Sequence, residues 1–271
     1  MAITNNSLKA AWKFGERLLY EAILIIFYLT QWEKHFKNIR DFVPLCRQMG
    51  YKGMVMTSWS TSGAYSALYE SEDELTDLYA IRHVYPITGF NILLAAYIKS
   101  ISSSSSLDIE DFVSNYCATQ YGFTKSQAKQ FWEALRAVPY EVSNGMVQHN
   151  KNLSLTALTD SMQEAVNIFH NLKPLKHQDE FEHYRLMADI RLQYLEFLEI
   201  EKQVNAETCT QAEIAIAIKK LETLMTNAAK LDQRFIQIHK ENFYLSELRQ
   251  ENEIRNKRLQ ILFDRLKKVK A

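Results

Sequence analysis

Glycine and proline are scarce in this 271-residue chain, at 7 and 4 residues. Few chain-punctuating residues over that length argue against many short strands joined by tight turns and favour long helices. Cysteine is scarcer still. Cys46, Cys117 and Cys209 lie far apart and form no C-x-x-C pair, which argues against a disulfide framework or a zinc site. All three read as small buried apolar groups. Net charge is absent: Lys+Arg and Asp+Glu number 32 each. No global field therefore draws the chain to nucleic acid or to an acidic membrane, and neither is expected as a partner. Long apolar runs are missing too. The strongest, Ala22–Leu29 (AILIIFYL), is far shorter than the ~18–20 residues that span a bilayer and lacks a signal-peptide cleavage site. It reads as a buried helix or strand, and no localisation follows from it.

Several catalytic signatures are likewise absent. There is no G-x-G-x-x-G, Walker A loop, H-E-x-x-H or G-x-S-x-G. The histidines are dispersed, and His177 and His183, six apart, are poorly spaced to share a metal on one helix. No metal and no cofactor is expected.

What is present is apolar material for a sizeable core, with 47% hydrophobic and 24% charged residues. The length suits one large domain or two small ones. Helical spacing runs over Ser7–Tyr20 and again over Glu33–Met49, where Phe36, Ile39, Val43 and Met49 fall near one face. Pro44 should kink or divide that second helix, and Gly50 suits its C-cap. Met54–Trp59 then reads as a short strand buried on both faces, followed by the small polar loop Ser60–Tyr65. Helix, glycine and buried strand in that order form an α/β unit. Pro86 suits the first turn of a helix to about Ser100, with Ile87, Phe90, Leu94 and Ile98 on one side. Ser102–Ser106 is a run of five serines and reads as a linker.

Beyond the serines everything reads as helix. A helix opening at Leu107–Asp108 ends at Gly122, and Thr124 with Gln127 has capping-box spacing for the next. Pro139 and Gly145 bound a loop. Ser154–Leu172, Asp179–Val204, Thr210–Leu231 and Asp232–Lys270 complete an up-and-down array. The basic stretch Arg255–Lys270 reads as a solvated face that complements the macrodipole at a helix end.

Three adjacent carboxylate pairs occur: Asp73–Glu74, Glu110–Asp111 and Asp179–Glu180. The last two fall in first turns of helices, where negative charge offsets the dipole. The first sits in a solvated acidic turn with Glu70 and Glu72. Trp59 differs from these. It ends a buried strand, the edge at which α/β barrels and sheets place ligands, and its broad face stacks well on sugar C–H surfaces. It serves either as a wall of such a site or as a core plug.

Lys52–Ser66 (KGMVMTSWSTSGAYS), preceded by Asn38–Tyr51 and followed by Tyr79–Tyr97, resembles the end of the catalytic barrel of family 20 glycoside hydrolases, the β-N-acetylhexosaminidases. Phe112–Leu135 and the long helices after it resemble the α-helical C-terminal domain of one branch. The resemblance covers about Asn38 to the C-terminus; residues 1–37 match nothing. It implies a mainly α chain in which a remnant of a (β/α)8 barrel (last helix, strand and loop, residues 1–101) is followed by a serine linker (102–106) and a helical-bundle domain (107–271). It also implies hydrolysis of terminal β-linked N-acetylhexosamine by a substrate-assisted retaining mechanism, with an aspartate orienting the acetamido group and the adjacent glutamate as acid/base. In that family the Asp–Glu pair closes an H-x-G-x-D-E strand. None of the three pairs here has that context, so the pair is expected upstream or missing, and the chain alone is expected to be inactive. The resemblance carries over Trp59, and less directly Ser60 and Tyr65, as substrate-binding residues, with an N-acetylhexosamine-containing glycan as ligand of the complete barrel. Self-association through the incomplete barrel is a further expectation. The alternative is a non-catalytic helical interaction or carbohydrate-binding protein derived from such an enzyme.

Overall fold

The computed structural model describes residues 32–51, 54–56, 90–140, 142–143 and 145–270. Among them are eight helices: α1 (Trp32–Gln48), α2 (Asn91–Ser102), α3 (Ile109–Tyr121), α4 (Lys125–Arg136), α5 (Leu155–Asn171), α6 (Gln178–Val204), α7 (Gln211–His239) and α8 (Leu245–Lys270). Between α4 and α5, the two-residue strands β1 (Val142–Ser143) and β2 (Met146–Val147) pair antiparallel, with Val142 opposite Val147. The protein is mainly α. No described helix is long and apolar enough to cross a membrane.

The helices start where the sequence supplies caps. Asp108 accepts from the Asp111 amide at 3.0 Å, and Ser154 from that of Ala157 at 3.0 Å. Thr124–Gln127 and Thr210–Glu213 both close capping boxes. Gly50 and Gly122 stop α1 and α3 at φ of 75° and 71°, a left-handed conformation that costs glycine little. At the first of these the Tyr51 amide reaches back to the Cys46 carbonyl at 3.0 Å, completing a Schellman-type end. The α5 end is closed from another helix: Arg185 of α6 donates to the carbonyls of Phe169 (3.1 Å) and Leu172 (2.6 Å).

From α3 onward each helix packs on the next in chain order. The main core is rich in aromatic rings, such as Phe131 edge-on to Tyr184 at 5.1 Å and Phe36 edge-on to Trp132 at 5.2 Å. This one buried cluster takes residues from both sides of the serine run, Trp32, Phe36 and Ile92 as well as Phe131 and Leu195. A smaller cluster around Phe235 and Leu248 joins α6, α7 and α8.

The pair α1 and α2 is arranged differently. At their starts Trp32 stacks on Phe90, with ring centroids 6.4 Å apart. At their ends the Arg47 guanidinium donates to the carbonyls of Ser100 and Ile101, both at 3.2 Å. The two helices therefore run side by side in the same direction. Met54, in the connection between them, accepts a hydrogen bond at 2.9 Å from the hydroxyl of Tyr97, midway along α2.

Several expectations are corrected. Met54–Met56 belongs to no strand, and Val55 is 86% exposed. Nothing in the described chain covers it on both faces; the remainder of the expected strand lies outside the described residues. Pro44 neither breaks nor divides α1, which is continuous to Gln48. The buried face of α2 is Ile92, Leu93, Ala96 and Ser100, while Leu94 and Ile98 point outward; this helix is apolar on both sides, so spacing alone does not choose its inner face. The last helix does not begin at Asp232. That residue lies within α7, and its carboxylate instead takes Arg255 at 2.5 Å and the Asn256 amide at 2.8 Å. Arg255 is thus buried rather than solvated. Cys46 and Cys117 are buried, but Cys209 only partly so.

Candidate functional site

The loop residues expected to meet a ligand, Trp59, Ser60 and Tyr65, lie outside the described residues, as does Asp73–Glu74. A different feature has the form of a site. Between α2 and α3 the chain forms a groove of about 570 Å³, within the ~300–1,000 Å³ usual for small-molecule sites. Lys99 and Ser100 line it from α2, Ser103, Ser105 and Asp108 from the connection, and Asp111, Asn115 and Thr119 from α3.

Local sequence explains how these side chains converge. The serine run cannot sustain α2, because serine hydroxyls compete for backbone groups. Here the Ser103 and Ser105 hydroxyls pair at 2.9 Å, and the Ser105 amide donates to Ser103 Oγ at 3.2 Å. Asp108 then restarts the chain as α3. Asp111, Asn115 and Thr119 recur every four residues and so share one face. Asn115 donates to Asp111 Oδ2 at 3.0 Å. A carboxylate offers about four acceptor positions, so Asp108 and Asp111 both retain acceptor capacity.

Ser100 is the unusual member. It is 1% exposed, and its hydroxyl has no hydrogen-bond partner. Four other helical hydroxyls, those of Thr159, Ser161, Thr223 and Thr226, back-bond to the carbonyl four residues earlier. Ser100 does not.

Behind the groove wall, Glu180 Oε1 accepts from the hydroxyls of Tyr116 (3.1 Å) and Tyr121 (2.7 Å), and Oε2 from the Asn91 amide (3.0 Å). Burial, reinforced at Tyr116 by the Glu180 charge, holds both phenols far above their usual pKa, so they remain neutral donors. Burial likewise pushes the Cys117 thiol up to about 12, which leaves it a poor nucleophile. Among the described residues, no group of three or more histidine, cysteine or carboxylate side chains gathers as metal ligands. The arrangement offers hydrogen-bond donors and acceptors, a chemistry of binding.

The groove was not singled out in the sequence. Its legible signal is the polar row Asp111–Asn115–Thr119 directly after a serine run. No family model, curated protein or solved structure matches the chain.

Proposed function

We propose that this chain is the C-terminal part of a family 20 β-N-acetylhexosaminidase, comprising the end of its barrel and its helical domain, and is silent in hydrolysis by itself. The observation that supports this reading is the parallel pair α1–α2, with Met54 of their connection hydrogen-bonded to Tyr97 of α2. Successive helices run parallel when a strand returns the chain between them, as in every βα repeat of a barrel. The other described helices follow one another in a bundle instead. A second support is the apolar surface left open beside this pair: Met49, Tyr51, Val55, Leu94, Ile98 and Ile101 are all exposed. Neighbouring barrel elements are the occupants that an α/β unit requires on such a surface.

In this reading Trp59 forms part of the wall of the N-acetylsugar pocket, with Ser60 and Tyr65 on the same loop. The carboxylate pair that orients the acetamido group and protonates the leaving oxygen belongs to another part of the barrel. The test has two arms. The chain alone is expected to leave a chromogenic N-acetylglucosaminide intact. Turnover abolished by changing a carboxylate within residues 1–271 overturns that. The open surface is expected to bind a hydrophobic dye and to drive concentration-dependent association in light scattering, both reduced by Leu94→Glu with Ile98→Glu. A dye-silent monomer whose behaviour the double variant does not change overturns the barrel reading.

A further inference from the structure

We propose that the turn end of the α7–α8 hairpin is an acid-sensitive latch, in which protonation of the buried His183–His239 pair releases residues 235–251 from α6 while the main core stays closed. The latch belongs to the helical bundle and stands apart from the barrel reading.

The hairpin is held at two places. Its helices run antiparallel, since Asp232 pairs with Arg255 at 2.5 Å and Glu222 with Lys267 at 3.7 Å. Away from the turn, Leu221 and Leu224 of α7 and Leu259, Phe263 and Leu266 of α8 belong to the main core. Toward the turn, Phe235 and Leu248 belong instead to the smaller cluster, where Leu231 with Leu186 and Ile190 of α6 completes a set of five buried side chains. Opening the turn end breaks only that small cluster, and regions with few buried apolar contacts open at less than the global free energy. The connection itself meets solvent: Tyr244 is 78% exposed.

The histidines sit at this weaker end. His239 is the last residue of α7, with the rings of Phe235 and Phe243 at 4.4 and 6.2 Å, and His183 faces it from α6 at 5.2 Å. His183 is 6% exposed and His239 1%. His239 Nδ1 already donates to the Phe235 carbonyl at 2.7 Å, so a second proton has to enter at Nε2, inside the bundle. Besides His183 on α6, the charged groups gathered here are Asp232 on α7 and Glu251 and Arg255 on α8. Arg255 opposes a positive charge on His239, while the two carboxylates act on Arg255. Burial lowers the pKa of both histidines. Opened to water, each returns to about 6.5. The open form therefore binds more protons and gains on acidification.

Hydrogen exchange of the full chain, followed by mass spectrometry at low urea concentrations, tests the latch. At about pH 7, residues 235–251 are expected to exchange through an opening of lower free energy and smaller urea dependence than that of α4 and α5. Between about pH 7 and about pH 5, after correction for intrinsic exchange, that opening should become about twentyfold more frequent for each histidine it wets. His183→Gln with His239→Gln should remove the pH dependence and leave the separate opening. Three results overturn the proposal: exchange of residues 235–251 only together with α4 and α5, a separate opening that ignores pH, or a pH dependence that the double variant retains. The first two are read on the unaltered protein, so they decide even where the variant folds poorly.

Discussion

The hydroxyl of Ser106 donates to the carbonyl oxygen of Arg40 at 3.2 Å. That carbonyl lies four residues before Pro44, which has no N–H to offer it. The serine run thus supplies from outside the helix the hydrogen bond that proline removes, and α1 continues unbroken. Ser106→Ala is expected to cost about 1 kcal/mol. Pro44→Ala restores the helical donor, so in that background Ser106→Ala should cost almost nothing. A double-mutant cycle on urea midpoints measures the coupling. Additive effects would remove the link between the two residues.

His183 and His239 meet edge to face across α6 and α7, with ring centroids 5.2 Å apart. His239 Nδ1 lies 2.7 Å from the Phe235 carbonyl, an acceptor, so the ring carries its proton there. Burial lowers both pKa values to about 4, and for His239 the neighbouring His183 and Arg255 act in the same direction. In the unfolded chain both return to about 6.5. Between those limits the unfolded state binds more protons. Stability is therefore full above about pH 6.5 and is lost as pH falls toward 4, by up to about 3 kcal/mol per histidine and less than twice that for the pair. Urea midpoints at about pH 7 and about pH 5 read this window. His183→Gln should flatten the dependence; an unchanged slope in that variant rules the pair out as its source.

Arg255 is buried between the Asp232 carboxylate, at 2.5 Å, and the ring of Phe235, at 4.9 Å, and it also donates to Asn252. Asp232→Ala strands a desolvated guanidinium and should cost about 3 kcal/mol. Adding Arg255→Met removes the charge and keeps the volume, so the double variant should recover most of that loss. Thermal melts of the two variants decide between a charge effect and simple loss of packing. If both melt alike, the stranded charge is not the cause.

Helix existence and caps were legible from sequence, because Asp108, Thr124, Ser154, Thr210, Gly50 and Gly122 act through their immediate neighbours. Long-range replacements were not legible. Pro44 reads as a kink or division because its substitute donor lies far along the chain at Ser106. Asp232 read as a helix start because its partner, Arg255, belongs to the next helix, and the true turn after His239 contains neither glycine nor proline. The groove has no local mark for the same reason: each serine reads locally as linker, and only the approach of α3 to α2 makes a surface of them. The burial of Ser100 is a tertiary fact with no local mark.

Glu180 was legible only as a first-turn acid of α6, yet it also holds α2 and α3 through Asn91, Tyr116 and Tyr121. These two roles separate experimentally. Glu180→Gln keeps the shape but turns one acceptor into a donor, which must then face either the two phenols or the Asn91 amide; about 1–2 kcal/mol should be lost. Glu180→Ala orphans all three donors and should cost about 3 kcal/mol. Asp179→Asn removes comparable charge from the same helix turn without touching the hub, and its effect should stay within a few tenths of a kcal/mol. Alkaline titration gives an independent reading. Because Tyr116 and Tyr121 titrate far above their usual range in the folded state, their contribution is complete below the unfolded value of about 10 and is lost as pH rises past it. Tyr121→Phe should therefore blunt the fall in melting temperature above about pH 10. An equal effect of Asp179→Asn and Glu180→Gln would reduce Glu180 to a dipole charge, and the junction of α2, α3 and α6 would then rest on apolar packing alone.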